Sequence, residues 1–336
     1  MVDREQHHDT QYFTLVIVGA GPIGLACALE AQKRHIDYVV VERGTLVNSI
    51  YNYPVNMTFF STSERLEIGE IPFVSTHAKP NRPEALEYYR RVTKDRQINL
   101  RLFAEVLDIS ECVVNGDKKF LITTSKGVLR SSFVILATGF YDIPYLLKVP
   151  GEDLPKVRHY YDDPQFYTFQ KLIVVGAQNS AVDAALETWR KGADVTMVIR
   201  GSEVGKRVKY WVRPDIENRI KEGSIKVYYE STIAAIRETE VDINTSEGLK
   251  TIENDWVLAL TGYQPDLPFL RKIGVKLCDD ESCEPEYNET THETNISGIY
   301  LAGVVCGGMN THKLFIENSR EHATTILASI ESRLAQ

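Results

Sequence analysis

The 336-residue chain contains no Cys-x-x-Cys pair. Its five cysteines are widely spaced, apart from two that stand five positions apart in a polar, acidic stretch. No group of cysteines and histidines has the spacing of a zinc site. A dithiol relay within one motif is therefore excluded, and no metal centre is expected. The cysteines are Cys27, Cys112, Cys278, Cys283 and Cys306.

Excess positive charge and long apolar runs are also missing. Acidic residues outnumber basic ones by 46 to 38, and the net charge of −8 argues against a nucleic-acid partner. No run of 18 apolar residues occurs, so no membrane partner is expected. Residues 1–9 lack the apolar core of a signal peptide, and the chain is therefore expected to be cytoplasmic. Its length favours two domains.

Two glycine-rich fingerprints dominate the sequence. Gly19-Ala-Gly-Pro-Ile-Gly24 comes after the apolar run 13–18, and Gly176-Ala-Gln-Asn-Ser-Ala181 comes after the apolar run 171–175. Each opens an alanine-rich stretch that reads as a helix, so each has the strand–turn–helix context of a dinucleotide site. In such a site the glycines let the backbone approach a pyrophosphate at a helix N-terminus. A chain with two such sites most simply passes electrons from a nicotinamide to a flavin.

The two fingerprints differ in the residue that ends the next strand. The second strand of the first unit ends in Glu42, an acid suited to the hydroxyls of an adenosine ribose. The corresponding strand of the second unit ends in Arg200, which can pair with the 2′-phosphate of NADPH. A solvated basic loop is the alternative interpretation of this region. Three further cations come soon after Arg200 and add to the local field: Lys206, Arg207 and Lys209.

The rest of the chain predicts alternating strands and helices. Residues 48–81 resist assignment, and the prolines at 144, 150 and 155 indicate a domain crossing. A Thr-Gly pair ends a strand-like run at 138–139 and again at 261–262. Helices are predicted over 82–93 and from about 311 to 334. Strands are predicted over 99–108, 119–125, 133–137, 225–229, 256–260 and 298–303.

These features together resemble the flavoproteins that bind two dinucleotides, and in length and order the thioredoxin reductase branch. Four stretches are more narrowly similar to the bacillithiol disulfide reductase family. They lie at 56–65 (NMTFFSTSER), 149–155 (VPGEDLP), 176–181 (GAQNSA) and 315–322 (FIENSREH).

The resemblance implies an α/β fold with two Rossmann-like domains of the three-layer ββα type. A discontinuous FAD domain over 1–147 and 266–336 would enclose an NADPH domain over 148–265. A homo-oligomer is also expected.

Site residues are implied by the resemblance position by position. Those implied for FAD are Gly19, Gly21, Pro22, Ile23, Gly24, Glu42, Arg43, Val106 late in its strand, Ala137, Thr138, Gly139, Gly303, Val304, Thr311, His312 and Lys313. Those implied for NADPH are Gly176, Gln178, Asn179, Ser180, Ala181, Arg200, Thr261 and Gly262.

The chain departs from its relatives at three places. The cysteine pair of thioredoxin reductases is missing, so a dithiol relay to thioredoxin is excluded. Val304 stands where the superfamily usually has an acid. Ile23 stands where the bacillithiol family commonly has a cysteine proposed to react with the disulfide.

The expected reaction carries a hydride from NADPH to flavin N5 and then electrons to an acceptor. A low-molecular-weight disulfide such as oxidised bacillithiol is the first interpretation. Alternatives are a ferredoxin or flavodoxin reductase, whose partner is a small electron-transfer protein, a flavin monooxygenase, and a non-catalytic redox sensor. Cys306, with a pKa lowered by a nearby helix N-terminus, and His312 are the candidate catalytic residues. Cys306 also reads as a small buried residue.

Overall fold

The computed structural model describes residues 11–114 and 116–336. Asn115 and residues 1–10, where no signal peptide is predicted, lie outside the described part of the chain. The strands are β1 (Gln11–Val18), β2 (Tyr38–Val41), β3 (Leu100–Arg101), β4 (Val106–Val114), β5 (Asp117–Thr124), β6 (Gly127–Leu136), β7 (Ile143–Pro144), β8 (Val157–Arg158), β9 (Lys171–Val175), β10 (Asp194–Val198), β11 (Lys226–Tyr228), β12 (Thr232–Ile236), β13 (Glu240–Thr245), β14 (Gly248–Glu253), β15 (Trp256–Ala259), β16 (Tyr263–Gln264) and β17 (Ile299–Leu301).

The α-helices are short to medium in length, and two 3₁₀ turns accompany them at Pro164–Tyr167 and Gly303–Gly307. The helices are α1 (Pro22–Lys33), α2 (Asn48–Tyr51), α3 (Ser63–Leu66), α4 (Arg82–Asp95), α5 (Asn179–Arg190), α6 (Arg213–Lys221), α7 (Leu267–Lys272), α8 (Ile316–Ser319) and α9 (His322–Leu334).

The first of two compact units takes its described residues from Met1–Tyr51, Ser61–Ile143 and Gln264–Gln336. Its seven-stranded sheet has the order β3-β2-β1-β6-β5-β4, and β17 also pairs with β6. Strands β1, β2, β6 and β17 are parallel, while β4, β5 and β6 form an antiparallel meander. Val18 pairs with both Val41 and Leu136, so β1, β2 and β6 end side by side. The residues after these strands therefore meet at one edge of the sheet.

The second unit comprises Asn52–Phe60 and Pro144–Tyr263. It combines a parallel sheet in the order β11-β10-β9-β15-β8 with the antiparallel sheet β12-β13-β14. The buried ammonium of Lys156 donates hydrogen bonds to the carbonyls of Arg237, Glu238 and Asn254 and to Asn254 Oδ1, at 2.6–3.2 Å. One cation therefore holds the segments that border β13 and β14.

The predicted α/β class with two Rossmann-like units is confirmed. The assignment of FAD to one unit and NADPH to the other, with boundaries at 147 and 265, stays a prediction. Among the described residues, no helix is long and apolar enough to cross a membrane.

Two local expectations about the strands are wrong. The strand predicted over 99–108 is two strands, because Phe103 adopts φ +55° between β3 and β4. Val106 consequently begins β4 and does not lie late in a strand. Residues 48–81, which resist assignment from sequence, contain the short helices α2 and α3.

The predicted C-terminal helix begins at His322 rather than near 311. The Asn318 side chain accepts a hydrogen bond from the Phe315 amide and donates one to the Lys313 carbonyl, which closes α8 as a separate turn. Between the two helices, the Arg320 guanidinium donates to the carbonyls of Glu64 and Glu67.

Candidate dinucleotide-binding sites

The first glycine-rich turn connects β1 to α1, and each glycine has a different steric role. Gly19 has φ +107°, and a Cβ there would lie 2.5 Å from the Ala137 carbonyl oxygen. A Cβ on Gly24 would lie 1.9 Å from the Gly19 carbonyl oxygen, so only glycine allows this close packing of helix and strand. Gly21 faces open space at the helix N-cap, which leaves its backbone accessible to a ligand. Pro22 occupies the first helical turn, where no N–H is needed.

Glu42 joins this turn to the end of β2. One carboxylate oxygen accepts the Ala20 N–H and the other accepts the Gly44 N–H, each at 2.8 Å. The side chain is buried, and burial raises the pKa of Glu42 above its usual value, while the two N–H bonds act in the opposite direction. Each oxygen retains a lone pair for a ribose hydroxyl.

A cleft that opens to solvent lies beside this turn. The residues predicted for FAD that line it are Gly19, Glu42, Arg43, Val106, Thr138 and Gly139. The cleft is also lined by residues that were not predicted from the sequence: Glu105, Phe140, Asp142, Gln264, Asp266 and Phe269. The remaining residues predicted for FAD do not: Gly21, Pro22, Ile23, Gly24, Ala137, Gly303, Val304, Thr311, His312 and Lys313.

Two of these acidic residues, Asp142 and Asp266, could have been predicted from the sequence. Asp142 lies soon after the Thr-Gly pair at 138–139 and forms an ion pair with Arg43 at 2.9 Å. Asp266 precedes Leu267-Pro268 in the pattern of a helix start, and its side chain accepts the Phe269 N–H at 2.9 Å as the N-cap of α7. Ala137 continues the end of β6, where its N–H donates to the Val18 carbonyl.

The turn after β17 lies close to the start of α1. Gly303 has φ +84°, and a Cβ built there would lie 3.2 Å from Ile23 Cγ1. The Gly303 N–H donates to His322 Nδ1 at 3.2 Å. Val304 is half-buried in the 3₁₀ turn that begins at Gly303. A non-glycine residue at 303 would therefore be strained in its backbone and crowded by Ile23.

Residues 311–313 form a turn and not the first turn of a helix. His312 and Lys313 are exposed, and the Lys313 N–H already donates to the Asn310 carbonyl at 3.1 Å. The Lys313 ammonium pairs with Glu284 at 2.5 Å.

Cys306 is buried, with 2% of its surface exposed. The expected lowering of its pKa is wrong, because burial raises the pKa of the thiol well above its usual value. His322 is the imidazole beside it, with Nδ1 4.0 Å from Cys306 Sγ. Burial lowers the pKa of His322 to about 4, so this ring is neutral at pH 7. At the same pH, Cys306 is a neutral thiol.

The second fingerprint repeats the geometry of the first in the second unit. Gly176 has φ +135° at the end of β9. A Cβ there would lie 2.4 Å from the Leu260 carbonyl oxygen and 3.0 Å from Ala181 Cβ. Ala181 is fully buried, so a small third residue suffices for α5 to pack on the sheet. Ser180, in the first turn of α5, is partly exposed.

A loop after β10 is tied to this fingerprint. The Asn179 side chain accepts the Lys209 N–H at 2.8 Å and donates to the Arg207 carbonyl at 3.1 Å. The Gly205 N–H donates to the Ala177 carbonyl, and a Cβ on Gly205 would lie 2.5 Å from the Gln178 side chain. The exposed side chain of Gln178, in place of the usual middle glycine, therefore lies against this loop.

The basic residues of the loop divide into two groups. Arg200 and Arg207 are exposed and, within the described residues, form no ion pair. Lys206 is exposed and lies 3.7 Å from a Glu203 oxygen. Lys209 is buried and pairs with Asp183 at 2.8 Å. The expectation that Lys209 adds to a field for phosphate is therefore wrong, because its charge is already compensated.

The second Thr-Gly pair comes after β15. Thr261 Oγ1 donates to the Tyr145 carbonyl at 2.6 Å, and the Tyr145 N–H donates to the Gly262 carbonyl at 3.0 Å. Gly262 has φ +104°. The pair thus anchors the segment at 145, and the threonine hydroxyl is engaged within the protein.

Both turns fit a dinucleotide on steric grounds. The first position of each fingerprint, Gly19 or Gly176, has no room for a side chain, and the middle position, Gly21 or Gln178, is open or polar. Comparisons with known proteins agree. The family model for pyridine nucleotide-disulphide oxidoreductases matches residues 16–303. The chain is 44% identical to the bacilliredoxin reductase Bdr of Bacillus subtilis, over 95% of this chain and 97% of that protein.

Solved structures give the same relationship. The bacillithiol disulfide reductase Bdr from Staphylococcus aureus matches with a TM-score of 0.92 and 39% identity, over 96% of this chain and 99% of that one. The corresponding protein from Bacillus cereus matches with a TM-score of 0.91 and 39% identity, over 96% and 100%. The chain therefore belongs to the pyridine nucleotide-disulphide oxidoreductase family and is an enzyme whose cofactors are FAD and NADPH.

Proposed function

We propose that this enzyme uses NADPH to reduce a low-molecular-weight disulfide, and that oxidised bacillithiol is its substrate. The observation that carries this proposal is the similarity, over almost the whole chain, to proteins named for bacilliredoxin and bacillithiol disulfide reduction. In the balanced reaction, one disulfide bond breaks, NADPH gives up a hydride, and two thiols and NADP⁺ form with uptake of one proton.

The first unit is the proposed FAD domain. When bound, FAD accepts the hydride from NADPH and passes electrons to the acceptor. Glu42 is proposed to hold the adenosine ribose, and the open backbone at Gly21 the pyrophosphate. The Gly303 turn is proposed to approach the ribityl chain. The other FAD residues predicted from the sequence keep their roles in the proposal, except that the N–H of Lys313 is already bonded within the protein.

The second unit is the proposed NADPH domain. The start of α5, from Gln178 to Ala181, is proposed to face the pyrophosphate, and exposed Arg200 the 2′-phosphate. Arg207, the other unpaired cation of the loop, is close in sequence and adds to the attraction. Thr261 and Gly262 contribute through the backbone, because the threonine hydroxyl is engaged by Tyr145.

Neither position 23 nor Cys306 supplies a thiolate to the proposed reaction. Ile23 supplies no sulfur, and the raised pKa of Cys306 keeps its thiol protonated at pH 7. The disulfide therefore takes its electrons without a mixed disulfide to the enzyme. His312, which is exposed, stays our proposed proton donor.

A second candidate acceptor is a bacilliredoxin, a small protein and not a free disulfide. The name of the Bacillus subtilis relative favours it. A homo-oligomer remains a prediction. We place the enzyme in the cytoplasm, since its five unpaired cysteines suit a reducing compartment.

An NADPH-consumption assay separates these acceptors. The FAD-loaded enzyme is mixed with oxidised bacillithiol alone, with a bacillithiol-modified bacilliredoxin, or with a ferredoxin or flavodoxin. Turnover with oxidised bacillithiol alone supports the first proposal, and turnover only with the bacilliredoxin supports the second. Reduction of the ferredoxin or flavodoxin without either disulfide would overturn both.

A further inference from the structure

Three metal-binding side chains that are distant in sequence lie together in the first unit. His292 precedes β17, Cys306 lies in the 3₁₀ turn after it, and His322 is the first residue of α9. One ligand atom from each lies within 4.8 Å of the other two. Cys306 Sγ is 4.0 Å from His322 Nδ1, and the two imidazole centroids are 4.1 Å apart.

Cys306 and His292 are buried and His322 is half-buried, and one polar atom of the cluster has no partner among the described residues. His292 is 8% exposed, and its Nδ1 is buried without a hydrogen bond among the described residues. The Tyr287 ring stacks on this imidazole, with 5.5 Å between centroids. A buried polar atom without a partner destabilises the fold unless a bound group satisfies it.

We propose that His292, Cys306 and His322 bind a zinc ion. Imidazole nitrogen and thiolate sulfur are the ligands that Zn²⁺ prefers, and three protein ligands leave the fourth tetrahedral position for a water molecule. On binding, the Cys306 S–H bond breaks, a Zn–S bond forms, and the proton passes to solvent, with no change of oxidation state. Tetrahedral spacing of roughly 3.5 Å between ligand atoms requires these atoms to approach one another by about an ångström. The two imidazoles, which now face each other, must turn so that one nitrogen of each ring points at the ion.

This assignment replaces the prediction of no metal centre, which rested on local spacing. Positions 292, 306 and 322 match no short zinc motif, because the fold and not the sequence brings them together. The site is also linked to the Gly303 turn, since His322 Nδ1 accepts the Gly303 N–H at 3.2 Å. A zinc ion bound through this nitrogen would take the place of that hydrogen bond.

The test uses the complete FAD-loaded protein, exchanged into buffer with Zn²⁺ and then freed of excess metal. We expect one zinc per chain by elemental analysis. Zinc X-ray absorption should give one sulfur at about 2.3 Å and two imidazole nitrogens at about 2.0–2.1 Å. Cys306→Ser and His292→Gln should each reduce the retained zinc to a small fraction. Cys278→Ser removes an exposed thiol elsewhere and should retain the full amount.

Thermal unfolding provides a second readout that does not involve turnover. Zn²⁺ should raise the melting temperature of the unsubstituted protein and of Cys278→Ser, but not that of Cys306→Ser, because a ligand of the folded state stabilises it. Equal zinc in all variants, or no zinc in the unsubstituted protein, would overturn the proposal. Should a variant fail to fold, the absorption spectrum of the unsubstituted protein still decides, since bound zinc without a sulfur neighbour would refute the site.

Discussion

Ile23 packs directly against Gly303: the position of a Cβ on Gly303 lies 3.2 Å from Ile23 Cγ1. This contact joins the N-terminus of α1 to the turn after β17. At position 23 the bacillithiol family commonly has a cysteine. In this chain the branched side chain of isoleucine occupies that position beside the Gly303 turn.

Ile23→Cys should raise kcat/KM for oxidised bacillithiol severalfold. The new thiol would lie in the first turn of α1, where the helix N-terminus favours thiolate and acts against the burial of this position. Ile23→Val creates similar space without sulfur and measures the effect of packing alone. Equal kcat/KM for the cysteine and valine variants in the NADPH assay would show that a thiol at this place adds nothing.

Glu42→Ala should weaken FAD binding roughly 10- to 150-fold. The change removes the carboxylate that is proposed to accept a ribose hydroxyl, and one charge-assisted hydrogen bond contributes about 1.5–3 kcal/mol. It also leaves the N–H groups of Ala20 and Gly44 without their acceptor. The FAD dissociation constant, measured by fluorescence, checks this. Glu111→Ala removes an exposed acid from β4 and serves as the control. An unchanged dissociation constant in Glu42→Ala would contradict the role of this carboxylate.

FAD retention should also depend on pH through Glu42. Burial raises the pKa of this carboxyl above 4.5, so on acidification it takes up a proton earlier than an exposed glutamate. Protonation removes acceptor capacity toward N–H and ribose hydroxyls, and FAD affinity should fall as pH decreases through the raised pKa. Glu42→Gln, which does not titrate, should bind FAD more weakly at neutral pH but lose this acid-dependent step. The same step in both proteins would assign it elsewhere.

Arg200→Ala should raise the KM for NADPH about 10-fold or more and change that for NADH little. Arg200 is exposed and forms no ion pair among the described residues, so its charge is available to a 2′-phosphate. The loss of a charge-assisted hydrogen bond costs about 1.5–3 kcal/mol. Initial rates with both cofactors provide the measurement. Arg91→Ala, which removes an exposed cation from α4, is the control. An equal rise in the KM for NADH would mean that Arg200 does not recognise the 2′-phosphate.

Lys156→Met should destabilise the second unit by about 3 kcal/mol or more. Methionine fills similar space but leaves four oxygen acceptors without their donor in a buried place. Urea unfolding followed by tryptophan fluorescence measures the loss, since two tryptophans of this unit, Trp189 and Trp256, pack against its core. Lys171→Met, at an exposed ion pair, should leave the unfolding midpoint nearly unchanged. Similar midpoints for the two variants would disprove the bridging role of Lys156.

The parts of the sites that a short motif marks were predictable from the sequence. Gly19, Gly24 and Gly176 each stand where a Cβ would collide with a carbonyl oxygen. The glycine-rich motif marks these positions even though two of the oxygens belong to the distant residues Ala137 and Leu260. Glu42 was predictable as well, because a parallel strand must end beside the glycine turn.

The errors arose where distant residues decide the local structure. The terminal helix is interrupted because Arg320 binds the carbonyls of Glu64 and Glu67, more than 250 positions away in the chain. The pKa of Cys306 is set by burial, which a helix start nearby in sequence does not reveal. Lys209 is not available to a phosphate, because it pairs with Asp183, a residue that the sequence around Lys209 does not reveal as its partner.

The discontinuity of the first unit has a consequence for the order of folding during synthesis. All of the second unit has left the ribosome once Tyr263 has emerged, so its parallel sheet can form while the chain is still growing. The first unit must wait, since β17 completes its sheet beside β6 and α9 covers α1. Until those last residues emerge, the apolar side of α1 and the β6 edge stay exposed. The nascent chain therefore passes through a stage in which its N-terminal part exposes the apolar surface that a chaperone would bind.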